Sequence, residues 1–346
     1  MSGVLVILEH RAFAQGSVTV PRVTLEALAA GVHLAQQLAI PCSAALIGDG
    51  LNDVLASPAF GPVRNVGLAQ LLAVEHELLA SYTADGFSIA LHQLIASLAP
   101  EFVVFPHTYQ VRDYAPALAA RFGQSLVSDA IAIRIESGLP VFVRQLFQGR
   151  LNADYRMAAS SRTPVPTFVS IQAGAFRAES LDAAAASAQP PQIEAFTPKL
   201  TSAQIRTVPA APFRESSRSV DLTTASVIVA AGRGIGEQAN VALIQSLAEA
   251  LGAEMAASRP ICDAGWLPME RQVGSSGQTV TPKLYLAIGI SGAIQHLVGM
   301  KGSKTVIAIN RDPSAPIFEI ADYGVAGDLF EIVPALTEAI LTTKAQ

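Results

Sequence analysis

Five consecutive apolar residues at positions 4–8 form the first regular segment of the chain. An unbroken apolar run of that length predicts a strand buried on both faces. After a polar loop, Leu25, Leu28, Val32, Ala35 and Leu38 recur at helical spacing, with Thr24 as the candidate N-cap and Pro41 beyond the end. A second apolar run at 43–47 stops at Gly48-Asp49-Gly50. The alternation continues with a helix over 86–98, a strand over 102–105 and a helix over 112–122. Strands alternating with helices predict a parallel sheet covered on both faces. From 130 to 171 the texture changes. Strand-like pieces at 130–135, 141–148 and 167–171 follow one another without a clear helix between them, which predicts an antiparallel extension of the same sheet.

Residues 178–220 contain an alanine run, Pro190, Pro191, Pro198, Pro209, Pro212 and many Ser and Thr. Such composition reads as a linker or surface excursion. It separates an expected N-terminal α/β domain at 1–177 from a second domain at 221–346. In the latter, a strand at 226–230 meets the glycine loop Gly232-Arg233-Gly234-Ile235-Gly236, and a helix over 238–251 follows. A strand at 283–290, the turn Ser291-Gly292, a helix over 293–300, a strand at 305–309 and a closing helix over 329–341 complete it. The expected fold class is α/β, with two domains, each a mainly parallel sheet covered by helices, the second one Rossmann-like.

Composition agrees and narrows the classes. A chain of 346 residues exceeds what one core usually supports, and 51% hydrophobic with 15% charged residues can fill two. The net charge of −5 comes without a basic stripe, which argues against nucleic acid as a partner. The two cysteines, Cys42 and Cys262, form no CxxC pair. They read as buried thiols in a reducing compartment, not as a disulfide framework or an iron–sulfur site, and no metal site is expected. The N-terminus lacks a basic n-region, and no run approaches the ~18 apolar residues of a membrane span. A cytoplasmic protein without direct membrane insertion is expected.

Three segments could carry chemistry. Strand, glycine loop and helix at 227–251 would let backbone N–H groups approach a pyrophosphate. The spacing Gly-x-Gly-x-Gly with Glu237 misses the dinucleotide fingerprint, so a plain tight turn stays open. Arg233 could pair with a phosphate there. At 284–296 a strand delivers the chain to Ser291-Gly292 and a helix begins, with Ser291 able to cap or to bond a ligand, and with Gln295 and His296 as polar residues of the first turn. The third segment, Ser258-Arg259 and then Gln272-Val273-Gly274-Ser275-Ser276-Gly277, is either a surface turn or a wall of hydroxyl and amide donors for an uncharged polar ring. His10, His33, His76, His92 and His107 read as surface or packing residues.

Together these motifs resemble the α subunit of electron transfer flavoproteins. The resemblance runs in order through Gly232-Arg233-Gly234, Ala257-Ser258-Arg259, Gln272-Val273-Gly274, the stretch from Gly289 to His296, that from Ile309 to Ile317, and Ala321 to Asp328. In the first domain it is carried by Arg112-Asp113, Leu126 to Asp129, Phe142 to Arg144 and Gln148-Gly149. It implies one FAD in the second domain, a partner β subunit, flavin dehydrogenases as donors, and a quinone oxidoreductase or other acceptor reached through a flavin semiquinone. It implies an electron carrier, not an enzyme. By matching position, Arg233 contacts the pyrophosphate region or the flavin side of the loop. Arg259 lies over the flavin ring with Ser258 beside it, and Ser276 places a hydroxyl at N5. Gln272, Val273, Gly274 and Ser275 line the same wall. Ser291, Gly292, Ala293, Ile294, Gln295 and His296 wrap the phosphates, ribityl chain and pyrimidine edge, with His296 near O2. Asn310 and Asp328 hold the adenosine half, with Leu329 adjacent. Arg259, Ser276 and His296 are the residues expected to tune the flavin.

One departure stands out. The family often carries Gln and Thr where this chain has Ser275 and Ser276. The hydroxyl survives at 276 and an amide is lost at 275. Competing readings are an electron-bifurcating member of the same family, an NAD(P)-dependent Rossmann oxidoreductase, and an adenine-nucleotide module without catalysis.

Overall fold

A computed structural model describes residues 3–12, 18–147, 149–156, 166–181, 191–210 and 222–344. The chain divides into two compact units. One comprises Met1–Leu146 with Arg150–Pro212, and the other Phe147–Gly149 with Phe213–Gln346.

The strands of the first unit are β1 (Val4–Leu8), β2 (Arg11–Ala12), β3 (Val18–Thr19), β4 (Cys42–Gly48), β5 (Gln70–Glu75), β6 (Phe102–Pro106), β7 (Leu126–Glu136), β8 (Leu139–Leu146), β9 (Leu151–Arg156), β10 (Thr167–Ile171) and β11 (Gln192–Phe196). Nine of them form one sheet in the order β11-β5-β4-β1-β6-β10-β7-β8-β9, while β2 and β3 make a separate ribbon. All pairs in the sheet are parallel except β7–β8 and β8–β9. Burial on both faces explains the unbroken apolar run of β1. Val4, Val6 and Leu8 pack with Ala27, Leu28 and Leu34 of the helix Arg22–Leu38. Leu5 and Ile7 face Leu91 and Leu94 of the helix Ala84–Leu98 and Tyr114 of the helix Tyr109–Arg121.

Several expectations change. Thr24 is not an N-cap. The helix starts at Arg22 after Pro21, whose ring fixes φ at −57° and whose carbonyl accepts from the Thr24 N–H, and Thr24 is buried within the first turn. The helix expected from 112 starts at Tyr109, because the Thr108 hydroxyl accepts from the Val111 N–H and caps it. The antiparallel extension consists of β7, β8 and β9. The strand at 167–171 instead lies parallel between β6 and β7, and residues 168–171 are buried, as its apolar composition requires. The stretch 178–220 is not simply a linker. Gln192–Phe196 extends the sheet parallel to β5, and Gln70 donates to Glu194 at 3.1 Å across that pair. The alanine run, Pro190, Pro212 and residue 148 lie outside the described residues.

The second unit holds β12 (Val227–Ala231), β13 (Glu254–Ala257), β14 (Leu284–Ile288), β15 (Val306–Asn310) and β16 (Tyr323–Ala326). They form a wholly parallel sheet in the order β13-β12-β14-β15-β16. Numbered within the unit this is 2-1-3-4-5, a doubly wound order that differs from the six-strand dinucleotide-binding order. Val229, Ala231, Leu286 and Ile288 face the helices Val241–Leu251 and Leu329–Lys344. Ile228, Ala230, Tyr285 and Ala287 pack with Met300 and Ile317 on the other face. The sequence reading missed β13, β16 and the short helix Arg259–Asp263.

Candidate functional site

A doubly wound sheet opens a crevice at the carboxyl ends of its strands where the strand order reverses. In the second unit that place lies between β12 and β14. The loop after β12 carries Gly232, Arg233 and Gly234, and the loop after β14 carries Gly289 to Ala293. The two loops touch backbone to backbone. Gly232 N–H donates to the Ile288 carbonyl at 2.8 Å and Gly234 N–H to the Gly289 carbonyl at 2.9 Å. A Cβ on Gly232 would stand 2.3 Å from the Gly289 oxygen, and one on Gly292 would stand 2.2 Å from the Ile317 nitrogen. Gly292 also has φ +86°, where side chains are strained. These glycines therefore bring loops together, a use the sequence reading did not consider. Arg233 is left exposed in the loop between them.

Asn310, at the end of β15, ties the array. Its Nδ2 donates to the Ile290 carbonyl at 2.9 Å, and its Oδ1 accepts from the Asp312 N–H at 3.0 Å. The Gly327 N–H donates to the Asn310 carbonyl at 3.0 Å, which puts Asp328 beside it. Asp328 is exposed and its Oδ1 accepts from the Phe330 N–H at 2.9 Å, satisfying a first-turn donor of the last helix. Leu329 is buried in the core.

The third segment joins the other two through the backbone. Ser258 N–H donates to the Ala231 carbonyl at 2.9 Å, and Val273 N–H to the Ala257 carbonyl at 2.9 Å. Ser275 N–H donates to the Gln295 carbonyl at 2.7 Å. A Cβ on Gly274 would stand 2.8 Å from that same oxygen, and one on Gly299 would stand 2.3 Å from the Gly274 nitrogen. The turn thus rests on the helix Ile294–Met300. That helix begins at Ile294 behind Ala293, so of the two roles open to Ser291 it does not take that of cap. Ser275, Ser276, Ser291, Ala293, Ile294 and Gln295 are exposed, while Ser258, Val273, Gly274 and Gly292 are buried.

Polar side chains in this array are only half satisfied. Gln272 is buried; its Nε2 donates to Ser276 Oγ at 2.9 Å, and its Oε1 is buried without a partner. With Oγ accepting, the Ser276 hydroxyl keeps its own proton to donate outward. His296 is 6% exposed, with Nε2 3.0 Å from the Tyr285 hydroxyl and Nδ1 buried without a partner. Burial pushes the imidazole down to about 4, with the Val273 backbone offsetting part of that shift, so the ring is neutral at pH 7. Burial also raises the Tyr285 hydroxyl, which stays protonated. Arg259 is exposed and its Nε lies 3.2 Å from Asp263; among the described residues its terminal nitrogens have no partner. Orphaned buried polar atoms are uncommon and call for a ligand or water. Here two of them sit in one turn and the helix beneath it. A polar, uncharged ring with a carbonyl and donor groups fits that set. Tyr285 went unnoticed in the sequence; its signal was one hydroxyl in an otherwise apolar strand.

Residues 221–301 match the family described as the electron transfer flavoprotein FAD-binding domain, and residues 4–201 match the electron transfer flavoprotein domain. The electron transfer flavoprotein subunit alpha of Bacillus subtilis (strain 168) is 39% identical over 91% of this chain and 92% of its own length. That of Mycobacterium tuberculosis (strain CDC 1551 / Oshkosh) is 38% identical over 99% and 100%. The chain is also 33% identical to Protein FixB of Clostridium saccharobutylicum, over 91% and 90%. This chain belongs to the electron transfer flavoprotein α-subunit family. Electron transfer flavoprotein subunits are electron carriers, not enzymes, and the α subunit normally pairs with a β subunit. Among the described residues no helix is long and apolar enough to cross a membrane, and no group of three or more His, Cys, Asp or Glu could hold a metal ion. Cys42 and Cys262 are buried and unpaired, and burial pushes their thiols up to about 12 and about 11.

Proposed function

We propose that this chain holds one FAD through its second unit and, paired with a β subunit, carries electrons in the cytoplasm from flavin dehydrogenases to a quinone oxidoreductase or another acceptor. The observation that carries this reading is the pair of orphaned buried atoms, Gln272 Oε1 and His296 Nδ1, in a turn and helix at the switch-point loops. Bound FAD would supply reversible one- and two-electron chemistry, and the protein supplies binding, orientation and electrostatics. Ser291, Gly292, Ala293, Ile294 and Gln295 offer small residues and backbone groups for the phosphates and ribityl chain, with Arg233 as their cation. Gln272, Val273, Gly274, Ser275 and Ser276 form a wall for the ring, with the Ser276 hydroxyl as an outward donor. Ser258 and Arg259 lie at the end of the neighbouring strand, where the free guanidinium nitrogens would stabilise negative charge gained on reduction. His296 acts as a neutral partner. Asn310 acts by fixing the loop, since both ends of its amide already have internal partners. Asp328 is the exposed acceptor beside it, and Leu329 packs beneath. The first unit serves as a partner-facing scaffold.

The test is the visible spectrum of the chain purified with its β subunit, followed through stepwise addition of dithionite. A flavin spectrum with well-separated one-electron steps is expected. Flavin that takes two electrons at once would favour the electron-bifurcating alternative. No flavin, even with FAD supplied, would overturn the reading.

A further inference from the structure

We infer that Tyr285 is a positioning residue that fixes the imidazole proton of His296 on Nδ1 and so turns that nitrogen into a hydrogen-bond donor for a ligand carbonyl. This inference rests on the FAD reading above.

A neutral imidazole has one donor nitrogen and one acceptor, and its neighbours choose which is which. The Tyr285 hydroxyl lies 3.0 Å from Nε2, and both side chains are buried. Two arrangements fit that distance. If Nε2–H donated to the phenol oxygen, the hydroxyl proton would be left buried without an acceptor, because no other bond to that hydroxyl exists among the described residues. Nδ1 would then be bare as well. If the hydroxyl donates to Nε2, only the Nδ1–H group remains without a well-formed bond, and the Val273 backbone that acts on the ring satisfies it only in part. The second arrangement leaves one buried polar group unmatched instead of two, and buried polar groups strongly favour partners. A carbonyl accepting from Nδ1–H then leaves none. Tyr285 is well suited to this task. It sits in β14, flanked on both sides by parallel strands, and its ring meets the imidazole edge-on at 61° with centroids 6.1 Å apart. Both ends of the pair are thus held on regular elements and not on the exposed loops.

The experiment uses the complex of this chain with its β subunit, labelled with 15N at histidine and loaded with FAD. Ring-nitrogen shifts of His296, assigned by comparison with His296→Gln, report the tautomer directly. The expected wild-type result is a protonated Nδ1 and a bare Nε2. Tyr285→Phe removes one oxygen from the core and keeps the ring, so the fold survives, and the tautomer should shift toward a mixture with several-fold weaker FAD binding. A purely structural Tyr285 would leave the tautomer unmoved. A bare Nδ1 in the wild type, or an unchanged tautomer in Tyr285→Phe, overturns this inference while flavin is still seen in the spectrum. A wild-type complex that takes up no FAD overturns the reading beneath it, and absorbance distinguishes that failure from the other.

Discussion

Both units are doubly wound, and each reverses its strand order beside its first strand. In the first unit the reversal falls between β1 and β6 of the order β5-β4-β1-β6, and in the second between β12 and β14. The loops at the two places are built differently. β1 runs into Glu9, and β6 runs into His107 and Thr108. The Thr108 hydroxyl donates to Glu9 at 2.7 Å and accepts from the Val111 N–H, while His107 bonds the Ser170 hydroxyl at 2.9 Å. These side chains bond in pairs, and Gln172, which donates to Asp129 at 3.0 Å, keeps its Oε1 buried without a partner. Burial pushes Glu9 up to about 7, with the Thr108 bond and then Arg11 opposing the shift. No glycine lies at 9–12 after β1 or at 107–121 after β6. In the second unit Gly232, Gly234, Gly289 and Gly292 draw three loops together, and Gln272 and His296 keep unmatched atoms. The same architecture therefore carries loops drawn together by glycine at one switch point and a side-chain network at the other, while both units keep unmatched buried atoms, Gln172 Oε1 and Arg144 Nε in the first and Gln272 Oε1 and His296 Nδ1 in the second. Function lies in the loops grafted on the sheet, not in the sheet.

The comparison breaks first at glycine. Gly292→Ala combines φ +86° with a backbone clash at 2.2 Å, and should cost roughly 3 kcal/mol or more together with flavin binding. Gly123→Ala in the first unit has φ +67° but open space, and should cost about 1 kcal/mol. Denaturant unfolding of the two variants checks this, and equal losses would undo the contrast. The buried groups give the next effect, with opposite signs. The folded-state value of His296 is depressed from 6.5 to about 4, so its contribution is present above 6.5 and lost as pH falls toward 4, by about 3 kcal/mol at most. The folded-state value of Glu9 is raised from 4.5 to about 7, so its contribution is present below 4.5 and lost as pH rises toward 7, to a similar extent. His296→Gln and Glu9→Gln should each flatten the corresponding limb of an unfolding-versus-pH curve, and a variant that leaves its limb unchanged contradicts the assignment. The smallest effect on stability belongs to Arg259→Ala. Its pair with Asp263 is exposed, so the change should stay within about 0.5 kcal/mol. The same variant should narrow the gap between the first and second reduction potentials of bound flavin, and an unchanged gap would remove Arg259 from that role.

Much of this frame was legible beforehand. β1, β4, β6, β12, β14 and β15 are short apolar runs bounded by polar residues, Gly or Pro, and burial on both faces leaves such runs little choice but strand. The edges were harder. β11 alternates exposed and half-buried positions and sits among prolines, so its composition resembles a linker. β16 is exposed at every position, and β13 has only four residues. Edge strands are defined by their neighbours more than by their own pattern. Thr24 failed as a cap because Pro21 already starts the helix, a competition between two local signals that the spacing of apolar residues did not resolve. At the candidate site the residues were recognisable by kind, but their partners were not. Asn310 and Ile290 are far apart in the chain, and the use of both amide ends inside the protein appears only when the loops meet.

The sequence alone determined that alternating strands and helices build two parallel-sheet units, and it marked the glycine loops, Arg259, Ser276 and His296 as candidate chemistry. Those are local facts: apolar periodicity, residue type and spacing along a strand–loop–helix unit. Tertiary structure decided where the strand order reverses, which loops glycine draws together, and that the imidazole of His296 is neutral with one nitrogen on Tyr285. Those properties depend on burial and on donors and acceptors from distant segments, and they exist only once the sheet has brought the segments together.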